Sequence, residues 1–505
     1  MDVLNKDCLQ HIFLNLDFID RVKLENVCKA WYSVLQLQST FSDTKQLDIS
    51  KFLTTSSTEY YPQVVVLNFN HVMETSFQES LNFVPTVLGV IERCGKYVRE
   101  ITFGQRWLKI SQPVIDCIAV NCPRLRVIDF GATILNADLE PLLENVADHL
   151  EELSLEETSW VDIENGRKIQ LFFKRMKKLK KLNLRSAMFM LDRIDEIPPQ
   201  LEELSISGAH RIPPETFENF LEKQKHLRIL DLSPIPALSE GVLDSIGNLP
   251  SLQKFNIGFS DQILFDYDPL MRLTHLTELR LVSIAGLTET CLHLVLSCLP
   301  QLQALSIKKC TNIREYTALG FCKQLTELEI ADTISLSDED HYRLCTYGKL
   351  KQLTFINCFN ISTRGVNSAL TRCQLESITI NRCSLVTDEM MYMLASTQRE
   401  IKNVSLQGCS GITSKGVSAL AWLRNVLELR EIDVSRNKNV NDAVVLNLHN
   451  ALTMAYRRKE GHINGAFDED SICQQEDRRK LLMYISETSI SHEVQKEVED
   501  LLILS

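Results

Sequence analysis

Three apolar residues at a spacing of three and then two recur along most of this chain. The clear copies begin with Val98/Ile101/Phe103, Leu125/Ile128/Phe130, Leu150/Leu153/Leu155, Leu179/Leu182/Leu184 and Leu201/Leu204/Ile206. They continue as Leu227/Leu230/Leu232, Leu252/Phe255/Ile257, Leu276/Leu279/Leu281, Leu302/Leu305/Ile307, Leu325/Leu328/Ile330 and Leu350/Leu353/Phe355. Leu375/Ile378/Ile380, Ile401/Val404/Leu406 and Leu429/Ile432/Val434 complete the run, and weaker copies sit at Thr44/Leu47/Ile49 and Val64/Leu67/Phe69. From residue 98 to residue 429 the starts lie 22 to 29 residues apart, and thirteen consecutive intervals in that range define a leucine-rich repeat. Alternate residues of a strand share a face. Each triad therefore predicts a short strand whose apolar side meets the same positions of the neighbouring coil.

Between the strands the pattern predicts short helices. Ser239, Thr288, Ser362, Thr387 and Ser414 stand where N-caps belong, and Asp388 and Glu389 suit the positive end of the helix that follows. Cys122-Pro123, Leu249-Pro250 and Leu299-Pro300 end helices just before the next strand. Eight residues after each start comes a turn position that must be small: Cys310, Cys358, Cys383, Cys409 and Asn437, with Thr133, Thr158 and Thr333 in other coils. Cysteine fits a buried small site and brings a weak S–H donor. Because these cysteines recur at the repeat period, they are expected to form a file of inert packing residues, not a metal or redox site.

Ahead of the repeats, Leu9, Ile12, Phe13 and Leu16 fall at i, i+3, i+4 and i+7, and Leu24, Val27, Cys28 and Trp31 repeat that spacing after Asp20. Two such helices bury too little surface to stand alone, so their stripes need another surface. The stretch from Leu4 to Asp17, followed by Val27-Cys28-Lys29-Ala30-Trp31, resembles an F-box. Its hallmarks are an apolar opening, an Ile/Leu-rich first helix, an Asp turn and Val-Cys-x-x-Trp. Asn5 departs from the pattern, which usually has Pro after the opening Leu. The cysteine-bearing repeats over roughly residues 98 to 440 are similar to those of the F-box/leucine-rich-repeat family.

That resemblance implies an α/β fold: a leucine-rich-repeat solenoid, horseshoe-shaped with parallel strands on its concave face, preceded by a small all-α F-box. The chain would divide into an F-box at 1–40, a linker with degenerate first repeats at 41–97, about 14 coils at 98–440, and a capping helix with an acidic, polar tail at 441–505. The implied function is that of a substrate-recognition subunit of a Skp-cullin-F-box (SCF) ubiquitin ligase. The F-box binds a Skp-type adaptor and, through it, cullin and RING subunits; the repeats hold a protein substrate for ubiquitination and proteasomal degradation. Leu4, Ile12, Leu14, Leu16, Val27 and Trp31 are the residues this resemblance places on the adaptor. The competing reading is a leucine-rich-repeat scaffold outside any ligase, in which residues 1–40 only cap the solenoid.

Composition narrows the remaining classes. A net charge of −12 and a pI near 5.5 argue against nucleic acid, whose binding rests on clustered Lys and Arg. No apolar stretch approaches the roughly 18 residues that span a bilayer, and the N-terminus has no signal-peptide pattern. With fifteen cysteines and no Cys-x-x-Cys pair, a reducing compartment is the economical reading. The cytoplasm is therefore expected, and the nucleus as well if the basic triplets Arg457-Arg458-Lys459 or Arg478-Arg479-Lys480 act in import. The nearest approach to a phosphate loop, Gly89 to Gly95-Lys96, is one residue too long and ends in Tyr97. No zinc or serine-hydrolase motif occurs, so no catalysis, cofactor or metal is expected.

Strand residues two, four and six places after each start should line the concave face. Early coils place mixed charges there, as in Glu152, Glu156, Lys181 and Arg185. From residue 350 the face is uncharged: Gln352, Thr354 and Ile356, then Ser377, Thr379 and Asn381, then Asn403, Ser405 and Gln407. This patch, bordered by Glu327 and Glu329, is the expected target site, reading its partner through amides and hydroxyls. Val440 to Lys459 reads as a capping helix and Gly461 to Glu476 as a polar loop. Whether the tail lies along the concave face is left open by the sequence.

Overall fold

The computed structural model describes residues 5–505 except 17, 26, 36, 53–83, 86, 105–107, 187–190, 192, 207–211, 234–238, 261–266, 346–347, 465–478 and 492. The chain divides into two compact units, Met1–Leu252 and Gln253–Ser505. The first opens with three helices, α1 (Lys6–Leu14), α2 (Phe18–Leu24) and α3 (Lys29–Leu35). Among the described residues ten strands follow in it: β1 (Gln46–Asp48), β2 (Glu100–Thr102), β3 (Lys109–Ser111), β4 (Val127–Asp129), β5 (Ile134–Asn136), β6 (Glu152–Ser154), β7 (Ser159–Trp160), β8 (Lys181–Leu184), β9 (Glu203–Ile206) and β10 (Ile229–Leu232). Strands β1, β2, β4, β6, β8, β9 and β10 pair in that order, all parallel. Strands β3, β5 and β7 form a second small parallel sheet where the coils leave the first.

The second unit contains β11 (Lys254–Ser260), β12 (Glu278–Ile284), β13 (Ala304–Lys308), β14 (Glu327–Thr333), β15 (Gln352–Cys358), β16 (Ser377–Asn381), β17 (Asn403–Ser405), β18 (Glu431–Asp433), β19 (Leu481–Tyr484) and β20 (Leu502–Leu504). They pair in chain order, again all parallel. Every triad from Val98 to Leu429 seeds a strand that begins two residues after its start, and Thr44/Leu47/Ile49 supplies β1. The copy at Val64/Leu67/Phe69 lies outside the described residues. No side chain of the triads from Val98 to Val434 is more than 3% exposed. At roughly 2 kcal/mol for each large side chain buried, these stacked files carry most of the stability of the coils.

The strand exits obey a rule that composition does not show. Seven residues after the start, the backbone turns left-handed at Ala132, Glu157, Ser186, Ser283, Lys309, Asp332, Asn357, Arg382, Gly408 and Arg436, with φ between 51° and 67°. Only one of these ten is a glycine, although the conformation costs other residues on the order of 1 kcal/mol or more. In six of these coils the next residue offsets that cost by donating to a carbonyl of the preceding coil. Cys310 reaches Leu281 O at 3.7 Å, Cys358 reaches Ile330 O at 3.3 Å, Cys383 reaches Phe355 O at 3.8 Å and Cys409 reaches Ile380 O at 2.8 Å. Asn437 does the same to Leu406 O at 2.7 Å, and Thr158 to Phe130 O at 3.2 Å. The cysteines thus stand in a file, one per coil, and burial pushes the Cys310 and Cys409 thiols up to about 11. Asn437→Ala should cost about 1 kcal/mol, because it removes the closer of two donors to the Leu406 carbonyl and leaves only the Cys409 N–H at 3.4 Å. Asn437→Cys should recover part of that loss in urea unfolding.

Helix starts interlock from coil to coil. The Asp338 carboxylate, in the first turn of the helix Asp338–Cys345, accepts from the Ser362 backbone N–H and hydroxyl at 2.9 and 2.6 Å. Asp388 does the same for Thr413 at 2.8 and 2.6 Å, and Asp442 for Ser491 at 2.6 and 2.8 Å. Gly365 and Gly416 sit against these carboxylates, where a Cβ would collide with Asp338 and Asp388. The helix at Ser414–Ser418 is capped by Thr413, one residue before the expected Ser414.

The expected boundary at residue 440 needs correction. The helix Asp442–Asn464 forms and buries Val444, Val445, Leu448 and Leu452. The chain then returns as another coil, with β19 beside β18 and β20 beside β19. The period missed this coil because Lys480 replaces its leading Leu and stands about twice the usual interval after Leu429. Most of the polar stretch 461–476 lies outside the described residues.

Candidate functional site

Two surfaces invite partners, one on the N-terminal helices and one on the open sheet face of the second unit. In the first, Leu9, Phe13, Val34 and Leu35 fill a small core on which Leu16, Leu24 and Trp31 pack. Phe13 and Trp31 meet edge-on with ring centres 5.3 Å apart. The side chain of Asn5 accepts from Cys8 N–H at 2.8 Å, so the residue standing in place of Pro caps α1 directly.

Arg21 is the polar centre of this bundle. Its side chain is 5% exposed and forks onto both oxygens of Asp43 at 2.7 and 2.6 Å. It also donates to Leu16 O at 2.9 Å, Leu14 O at 3.2 Å and Thr40 O at 2.8 Å. The hydrogen bond from Arg21 holds the Asp43 carboxyl below the usual carboxylate range. A second pair, Arg93 to Glu25 at 2.8 Å, ties the C-terminal end of α2 to the helix at 87–94. Burial raises the Glu25 pKa despite the arginine beside it. The two ion pairs fix the orientation of the three helices on the first coils.

On the open face, the first unit carries ladders of paired charge. Lys181 lies 3.4 Å from Glu152 and 3.5 Å from Glu203, and Arg185 lies 3.5 Å from Glu156. In the second unit, the register sets Gln352 beside Ser377 beside Asn403, and Thr354 beside Thr379 beside Ser405. The uncharged residues therefore form two continuous rows across three strands. Asn381 partly serves the sheet itself, its amide oxygen accepting from the Ser405 hydroxyl at 3.0 Å and from Gln407 N–H at 2.8 Å. A shallow hollow of about 210 Å³ adjoins the rows, lined by Glu278, Arg280, Ser306, Glu327, Glu329, Gln352 and Thr354 among others. Replacing Asn403 and Gln407 by Ala should leave the melting temperature unchanged, as calorimetry would show. Asn381→Ala should loosen the sheet.

Residues 2–42 match the family described as the F-box domain. The chain carries an F-box. Set ahead of parallel-stranded leucine-rich coils, it gives the F-box/leucine-rich-repeat architecture. A Caenorhabditis elegans protein named as a candidate RNA-binding protein, EEED8.10, is 25% identical over 313 residues, which cover 59% of this chain. The match spans 42% of that relative's length. Solved structures of similar form include an internalin from Listeria monocytogenes, at 16% identity and a TM-score of 0.41, covering 70% of this chain and 94% of its own. A chain of the yeast Rad7 and Elc1 complex has 12% identity and a TM-score of 0.45, covering 74% of this chain and 95% of its own.

The F-box geometry sorts the six residues expected on the adaptor. Ile12 and Val27 are 48% and 56% exposed, large apolar side chains open to a partner. Leu14 is half-buried, while Leu16 and Trp31 pack on the F-box core and serve it at least in part. Leu4 lies outside the described residues. Tyr32 and Leu37, 50% and 42% exposed, join the candidates, and Arg21 and Asp43 are the supporting pair that an apolar-stripe reading passes over. Among the described residues, no group of three His, Cys, Asp or Glu is placed to hold a metal ion, and no helix is long and apolar enough to cross a membrane.

Proposed function

We propose that this chain is the substrate-recognition subunit of a Skp-cullin-F-box ubiquitin ligase. The observation that carries the reading is the F-box at residues 2–42, whose core is closed by its own residues while Ile12 and Val27 stay open. Exposed large apolar side chains on a small rigid bundle are what a docking partner covers. The Skp-type adaptor binds there and brings cullin and RING subunits, and the open sheet face of the second unit holds the target. The chain contributes no reacting group. It raises the effective concentration of a target lysine near the charged conjugating enzyme, so that proximity supplies the rate, and the modified target goes to the proteasome. In this reading the chain works in the cytoplasm, and in the nucleus as well if the basic triplets act in import.

Affinity capture from cells tests the proposal. Full-length protein should co-purify with cullin and with ubiquitin-conjugated targets. The Ile12→Asp, Val27→Asp double variant should keep its targets and lose both cullin and the conjugates. If the double variant still brings down cullin, these residues do not form the docking surface; if the full-length protein brings down none, the scaffold reading stands.

A further inference from the structure

The carboxylates on the open face of the second unit fall into two groups. Glu278 already holds Lys254 at 2.9 Å and Arg280 at 2.7 Å, and Glu329 holds Lys308 at 2.7 Å. Glu327 on β14, and Glu431 and Asp433 on β18, have no cationic partner among the described residues. Glu327 accepts from the Gln352 amide at 3.1 Å, and Asp433 accepts from Ser435 N–H at 2.9 Å and the Ser405 hydroxyl at 3.5 Å. Between these two acidic edges lie β15, β16 and β17 with their uncharged rows.

The spacing of the edges follows from sheet geometry. Neighbouring strands stand about 4.8 Å apart, so the four intervals from β14 to β18 separate the edges by roughly 19 Å. An extended peptide rises about 3.3 Å per residue and covers that distance in roughly six residues. A separate feature marks the same coils. Just past the ends of β14 and β15, and four residues past β16, Ile334, Phe359 and Leu385 are 68%, 49% and 50% exposed, an apolar rim in the coils that supply β14, β15 and β16. Exposed apolar side chains in successive coils mark contact surfaces more often than isolated ones do.

We infer that the target segment held here is extended and crosses the strands from β14 to β18, with Lys or Arg at both ends, about six residues apart. Small hydroxyl or amide residues lie between them, and an apolar side chain packs against the rim at Phe359. The inference rests on the receptor reading above and names the chemistry of its target. The basic ends pair with Glu327 on one side and with Glu431 and Asp433 on the other. The middle of the segment meets Thr354, Thr379, Ser377 and Asn403. A nucleic acid would bring phosphates to these carboxylates, the wrong sign for binding.

Fluorescence anisotropy with labelled nonapeptides and the full-length chain tests this. One probe carries two lysines six positions apart within Ser, Thr, Gly and a single Leu, a second has the lysines adjacent, and a third has Glu in their place. The spaced-lysine probe should bind at least tenfold tighter than the adjacent-lysine probe, and the Glu probe should not saturate. The triple variant Glu327→Gln, Glu431→Gln, Asp433→Asn keeps the shape and one acceptor oxygen on each side chain while removing the charge, and should erase the preference. Equal binding of the Lys and Glu probes would overturn the inference. So would a preference that survives in the triple variant, or displacement of the peptide by single-stranded RNA. Capture of the Skp-type adaptor, measured on the same proteins, should be unchanged in the triple variant. Wild-type protein that shows no preference for the spaced-lysine probe but still captures the adaptor removes this inference alone, whereas wild-type protein that takes the peptide and no adaptor removes the ligase reading.

Discussion

Arg21→Ala should unfold the F-box while leaving the repeats intact, at a cost of roughly 3 kcal/mol to the three helices, about 1 kcal/mol for each of the three carbonyls that lose a donor; the Asp43 carboxylate, 48% exposed, adds little. Arg21, in α2, joins the end of α1 to the segment leading to β1, through Leu14 O, Leu16 O, Thr40 O and Asp43. Truncation leaves those carbonyls without their donor and Asp43 without its cation. Arg21→Lys should lie between wild type and Ala, because an ammonium cannot fork onto both carboxylate oxygens. Hydrogen exchange reads the outcome locally. Protection of residues 6–35 should fall by about two to three orders of magnitude, while β14 to β17 keep theirs and adaptor capture is lost. Unchanged protection at 6–35 would show that the helices do not depend on this pair.

The second large effect is a loss of stability in acid centred on one histidine. His341 is fully buried in the helix Asp338–Cys345, with Nδ1 3.0 Å from Gly365 O and Nε2 3.4 Å from the Cys345 sulfur. Its ring packs edge-on to Phe355 at 5.0 Å. Burial lowers its pKa to about 4 from the ordinary 6.5, against the opposing effects of the Gly365 carbonyl and of Asp338. The neutral ring therefore donates from Nδ1 and accepts the Cys345 thiol proton at Nε2. Above pH 6.5 both folded and unfolded chains carry neutral histidine and the contribution is complete. As pH falls from 6.5 towards 4, unfolded chains take up a proton that folded chains refuse, and stability drops. The loss is about 2 kcal/mol by pH 5 and roughly 3 kcal/mol by pH 4. Urea unfolding of wild type and His341→Gln at pH 7.5 and pH 5.0 checks it. The variant should be less stable at pH 7.5 and should lose about 2 kcal/mol less on acidification. Parallel losses would place the acid sensitivity elsewhere.

The strands were readable from the sequence because burial at positions one, four and six of each repeat leaves a mark in residue type. Leu353, Ile378, Val404 and Ile432 align across β15 to β18 as the period implies. The cysteine file was readable for the same reason. The left-handed turn just before it was not, since Glu157, Lys309 and Arg382 are held there by cross-coil hydrogen bonding and not by any glycine signal. The coil formed by β19 and β20 escaped because an inserted segment broke the period and a lysine opened the triad.

The candidate sites were less readable. An apolar stripe names Ile12, Leu16, Val27 and Trp31 together, and only the packing of Phe13, Val34 and Leu35 separates the exposed pair from residues that serve the core. On the open face, the uncharged rows were visible from position alone. That Glu431 and Asp433 bound them on the far side, and lack the cations that Glu278 and Glu329 hold, depends on side-chain geometry.

The central claim is that the F-box of this chain docks on a Skp-type adaptor. Titration calorimetry of the purified full-length chain with the purified adaptor tests it most directly. One-to-one binding is expected at wild type, and Ile12→Asp with Val27→Asp should weaken it by at least about a hundredfold, with the melting temperature unchanged. No heat of binding from the correctly folded wild-type protein would contradict the claim and leave the three helices as a cap on the solenoid.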